Sequence, residues 1–159
     1  MHINFKRITN QLIDLANLKL GIFQSKAKAL FEFASYSSIA YFTPLFFVQP
    51  QIFLGTVVNS MLICGALYVR GAKLIPLIVL PSIGAISRGF LFGPLSVFLF
   101  YMLPFIWISN AILVFSIKAF YLKNKKHFIF GVICSSALKS IFFNWFFDFS
   151  IIFKRFFLR

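Results

Sequence analysis

The segment from Leu91 to Ala119, LFGPLSVFLFYMLPFIWISNAILVFSIKA, stays apolar for about 29 residues, well past the roughly 20 that carry a helix across a 30 Å hydrocarbon core. Gly93-Pro94 opens it, Pro104 sits near its middle and Asn110 lies in its second half. In a bilayer every backbone N–H and C=O must find a partner within the protein. A break at Pro104 is therefore tolerated only against neighbouring helices or a water-filled cavity. The stretch predicts a polar site inside the membrane, with the chain dividing at Leu103-Pro104 into two short helices, because the residue before a proline is pushed out of the helical region. A single tilted, kinked helix is the alternative.

Composition places the whole chain in the same solvent. With 60% hydrophobic and 12% charged residues over 159 positions, it departs far from the soluble averages of about 45–50% and 25%. The fold class expected is all-α, a polytopic helix bundle in the cell membrane. No apolar span stands alone at the N-terminus as a removable signal would. Sixteen Lys and Arg against three acids give a formal charge of +13. Most of these bases lie between apolar runs or at the ends, where they meet anionic headgroups and stay on the cytoplasmic side. The partner they imply is the lipid bilayer, not nucleic acid. Cys64 and Cys134 sit inside apolar runs as small hydrophobes, and neither they nor the isolated His2 and His127 form a metal-ligand set. No metal, cofactor or catalytic residue is implied.

Taken in order, residues 1–28 form a basic segment. Phe5, Ile8, Leu12, Leu15 and Ile22 recur at helical spacing, as in an amphipathic helix lying in the interface. Residues 29–148 hold the transmembrane bundle. Its first span, Ala29 to Val48, carries Ala34 and Ser38 as a small-residue face for close helix approach, and Glu32 at its headgroup end snorkels or pairs with Lys28. The second, Ile52 to Val69, contains Asn59, whose amide must hydrogen-bond across helices or to something bound. After the basic loop Arg70–Lys73 comes Leu74 to Ser87, with a local break expected near Pro81-Ser82. Arg88 then stands at a water boundary, as an interfacial anchor or an anion contact. Lys118, Lys123, Lys125 and Lys126 frame a second basic loop. In the last span, Phe128 to Phe147, Lys139 is an ammonium midway along an apolar helix. It either snorkels, pairs with a carbonyl or Asn, or meets an anionic ligand. Residues 149–159 form a basic aromatic tail. Six spans leave the Lys123–Lys126 loop outside and five strand the basic C-terminus; the hairpin at Pro104 favours six.

Three segments, GTVVNSMLICGALYV, LIPLIVLPSIGAISRGFLFGPLSVFLFYMLPFIWISNAILVF and FGVICSSALKSIFF, together resemble the substrate-binding S components of energy-coupling factor transporters, over roughly residues 50 to 145. The residues carrying the resemblance are Gly55 and Asn59, Pro81 and Ser82, Pro104 and Phe105, Asn110, and Ala137-Leu138-Lys139. It implies a six-helix bundle that captures a small micronutrient and delivers it by toppling against a transmembrane coupling protein driven by ATPase subunits. Ala34 and Ser38 only approximate that family's alanine docking pattern, and no histidine-rich N-terminus of the metal-specific kind is present.

The leading functional expectation is a substrate-capture component in which Asn59, Arg88, Asn110 and Lys139 converge on one pocket and contact a small-molecule substrate. ATP hydrolysis is excluded from this chain, which has no phosphate-binding glycine loop. The alternative is a non-catalytic structural subunit of a membrane complex, with the same polar residues as assembly contacts. An enzyme is disfavoured, since the sequence has no paired carboxylates, no Ser/His/Asp set and no HExxH helix.

Overall fold

A computed structural model describes residues 5–20, 26–46, 51–92 and 96–157, and every regular element among them is helical. The helices are α1 (Phe5–Asn17), α2 (Lys26–Phe46), α3 (Gln51–Tyr68), α4 (Leu74–Phe92), α5 (Ser96–Ile117) and α6 (Phe128–Phe157). A 3₁₀ turn, Gly71–Lys73, leads into α4, and a π-helical turn, Lys118–Lys123, follows α5. Three segments are long and apolar enough to cross a membrane: Gly71–Arg88, Met102–Lys123 and Phe128–Trp145, with Phe53–Tyr68 as a shorter apolar helix. The outward surface agrees. Phe31, Ile129, Ile133, Ile141 and Trp145 each expose more than 60% of their area, a surface suited to acyl chains and costly in water. The protein is an all-α membrane bundle.

The expected division at Leu103-Pro104 does not occur. α5 runs unbroken through Pro104, and 22 residues give about 33 Å at 1.5 Å each, one crossing. Within the long apolar stretch α4 is described as far as Phe92 and α5 from Ser96; Gly93 and Pro94 lie outside the described residues. Pro104 is exposed on the outer face, where the loss of one backbone hydrogen bond bends a helix without ending it. Pro81 likewise sits inside a continuous α4. Beyond the amphipathic α1, five long helices are described, in place of the six spans favoured by the sequence.

Packing divides the bundle into a solid half and a hollow half. The solid half joins Leu62, Ile63, Ala66, Leu67 and Val69 of α3 and its end, Leu74, Leu77 and Ile78 of α4, and Leu113, Val114 and Ile117 of α5. α2 packs on α3 and α4, while α6 packs on α5. Close approach of α2 to α4 requires Gly84, because a Cβ there would strike the backbone carbonyl of Tyr41. The small-residue face of α2 is rotated from the one expected: Ala34 and Ser38 are exposed, whereas Ser37, Ala40, Thr43 and Pro44 are buried.

Both basic loops lie at the solid end. Lys118 is fully buried, not part of an exposed loop, and its Nζ donates to the carbonyls of Ala16 (3.3 Å), Leu18 and Val69 (3.1 Å). The amide of Leu20 donates to the carbonyl of Leu67 at 2.9 Å. These bonds fasten the end of α1 beside the Gly71–Lys73 turn and the π-turn, and the cation caps carbonyls at the negative end of the α1 dipole. Gly71, at φ 63°, makes the left-handed step into its turn, a conformation glycine adopts without strain. The apolar residues Ile8, Leu12 and Ile13 of α1 remain more than 40% exposed, as an interfacial helix requires; Ile22 lies outside the described residues. At the far end, residues 149–157 of the expected tail continue α6, a helix of 30 residues.

Candidate functional site

The hollow half contains a cavity of about 490 Å³ between α2, α3, α4, α5 and α6. The two helix prolines that are buried among the described residues, Pro44 and Pro81, line it. A proline cannot donate to the carbonyl four residues earlier, which for Pro81 is that of Leu77. Two side chains donate to the carbonyls that follow it. Asn110 Nδ2 donates to the carbonyl of Ile78 at 3.0 Å, and Ser82 Oγ donates to that of Val79 at 2.6 Å. Trp107 Nε1 in turn donates to Ser82 Oγ at 2.6 Å. Asn110 and Trp107 of α5 thus hold α4 around Pro81.

Lys139 is the centre of the site. Its Nζ donates to Asn59 Oδ1 at 2.6 Å and to Asn110 Oδ1 at 2.8 Å, tying α6 to α3 and to α5. α6 does not pack closely on α3, so the lysine spans a gap that side chains alone bridge. All three residues line the cavity, together with Ser82, Ser109, Ser136, Ser140 and Asn144. Asn110 and Ser109 are almost fully buried at 2% and 1% exposure, and Ser109 Oγ has no hydrogen-bond partner. Among the described residues no carboxylate lines the cavity. Of the outcomes open to Lys139, the structure has it paired with asparagine.

Three of the four expected site residues therefore come together, and Arg88 does not. Ala85 is the last α4 residue on the lining. Arg88 is one turn farther, about 4.5 Å along the axis at 1.5 Å per residue, and half-buried. Sequence reasoning missed Trp107, which gives no signal inside an aromatic-rich run; Ser109 stands beside Asn110 in the sequence and lines the cavity with it.

Lys118, a fully buried cation, lies in the solid half and contacts backbone only. Cys64 and Cys134 are free thiols, and no group of His, Cys, Asp and Glu among the described residues is placed to hold a metal ion. Comparison with protein-family models, curated proteins and solved structures finds no match to this chain.

Proposed function

We propose that this chain is a multi-pass substrate-capture component of the cell membrane, of the energy-coupling factor type, that takes up a small micronutrient and hands it to a transmembrane coupling protein served by ATPase subunits. The observation that carries the reading is the meeting of Asn59, Asn110 and Lys139 at one cavity, near the middle of otherwise apolar helices. Polar groups are costly at that depth and mark substrate or ion sites. The cavity volume falls within the roughly 300–1,000 Å³ of small-molecule sites.

Orientation supports uptake. α1, the Arg70–Lys73 loop and the Lys123–Lys126 turn share the solid end of the bundle. The positive-inside tendency assigns that end to the cytoplasm. The cavity then belongs to the outer half, with the packed core of α3, α4 and α5 between it and the cytoplasm. Such a site loads from outside and is sealed from within.

The test is native mass spectrometry of the full chain purified from its own host. A co-purifying small molecule that is lost from Asn110→Leu and Lys139→Leu supports capture. A ligand-free protein held firmly by other membrane chains, with the same variants weakening that assembly, would make it a structural subunit instead.

A further inference from the structure

Resting on that reading of the cavity, we infer that the captured molecule carries a carboxylate, or an equally compact anionic group, on a largely apolar body. The inference follows from which hydrogen-bonding capacities the protein has already used. Lys139 spends two of its three ammonium hydrogens on the amide oxygens of Asn59 and Asn110. Both amides are thereby turned with their oxygens toward the cation, which leaves their NH₂ groups as the unspent ends. Asn110 uses one of those hydrogens on the carbonyl of Ile78. Ser82 is occupied as both acceptor and donor.

What remains on Lys139, Asn59 and Asn110 is a set of donors. The third Lys139 hydrogen, the Asn59 NH₂ and the second Asn110 hydrogen border one space. Neutral amide oxygens solvate an ammonium but do not cancel its charge, and among the described residues no carboxylate lines the cavity to do so. A half-buried cation without a counter-ion is the costly half of an ion pair. A ligand carboxylate supplies the missing half and accepts from several donors at once, in charge-assisted bonds stronger than neutral ones. Leu54, Val58, Ile106 and Phe143 bound the rest of the cavity and select an apolar body.

A cation would face repulsion from Lys139 with no anion to balance it. A neutral amide would satisfy donors but leave the charge uncompensated. The predicted order of binding is therefore carboxylate, then amide, then amine.

The test uses the full chain in lipid nanodiscs and thermal unfolding with matched probes: benzoate, benzamide and benzylamine, and hexanoate, hexanamide and hexylamine. Binding to the folded state raises the unfolding midpoint in proportion to occupancy. The carboxylate of each set is expected to raise the midpoint at concentrations at least tenfold below its amide, with no stabilisation by the amine. Lys139→Met should abolish the carboxylate preference. Amides or amines that stabilise as well as carboxylates overturn the inference and leave capture standing, as does a carboxylate preference that survives in Lys139→Met. Silence from all six probes, in a protein that also carries no small molecule from its host, removes capture and the inference together. The wild-type comparison alone decides the matter should Lys139→Met fail to fold.

Discussion

Replacing Lys118 with methionine keeps most of the side chain's length and removes all three of its hydrogen bonds. The ammonium is fully buried and bound to the carbonyls of Ala16, Leu18 and Val69. Hydrogen bonds from a charged donor contribute about 1.5–3 kcal/mol each. Against them stands the cost of keeping a charge out of water, several kcal/mol in a real protein interior. These large terms oppose one another, so the net effect is set by carbonyls left without a donor, about 1–3 kcal/mol for a buried group. That cost falls unevenly. Val69 lies in the packed half and its carbonyl stays enclosed. Ala16 and Leu18 close α1, a helix with an exposed outer side, and regain water or headgroup partners as soon as it lifts away. Lys118→Met should therefore release α1 while the bundle holds. About 2 kcal/mol corresponds to roughly a thirtyfold shift in that opening equilibrium. Hydrogen exchange read by mass spectrometry in nanodiscs checks it: amides of Phe5–Asn17 should exchange faster by about that factor, with residues 62–78 unchanged. Unaltered exchange in α1, or an equal loss of protection throughout the bundle, would refute the assignment of Lys118 as the fastening of α1.

Four further outcomes follow from the packing and the hydrogen bonds. Gly84→Ala drives a methyl into the Tyr41 backbone and should cost about 1–3 kcal/mol by forcing α2 from α4; Gly55→Ala, inside α3 with open space around its Cβ, should instead raise the thermal midpoint by the equivalent of about 0.5–1 kcal/mol. Asn110→Leu strips a donor from the Ile78 carbonyl and an acceptor from Lys139, so the ligand-free midpoint should fall by the equivalent of about 3 kcal/mol. Trp107→Phe loses the bond to Ser82 and part of the indole's packing on the core, and should cost about 1–3 kcal/mol by denaturant titration. Ser109→Ala removes a buried hydroxyl that has no partner, so the ligand-free protein should be as stable as the parent or more so by thermal unfolding.

Asn59, Asn110 and Lys139 were legible in the sequence because each is a costly group within an apolar run, and such groups survive in a membrane when they find one another. Lys118 is as costly, yet its neighbours in the chain concealed it: Lys123, Lys125 and Lys126 follow closely, and composition reads all four as one interfacial cluster. The distinguishing signal is register. Asn110, Val114, Ile117 and Lys118 fall on one side of α5 at spacings of four, three and one, so Lys118 continues the buried stripe, while the later lysines follow the π-turn into solvent. The same reasoning separates the prolines. A proline in sequence announces only that one backbone bond is missing; which side of the helix faces the bundle decides what that loss does. Pro104 faces outward and leaves α5 continuous, whereas Pro44 and Pro81 face inward and line the cavity. Beside Pro81 the carbonyls of Ile78 and Val79 accept from the Asn110 and Ser82 side chains. Asn110 therefore bridges the two features, bonded through Nδ2 to the α4 backbone and through Oδ1 to Lys139, so one side chain joins the backbone beside Pro81 to the half-buried cation.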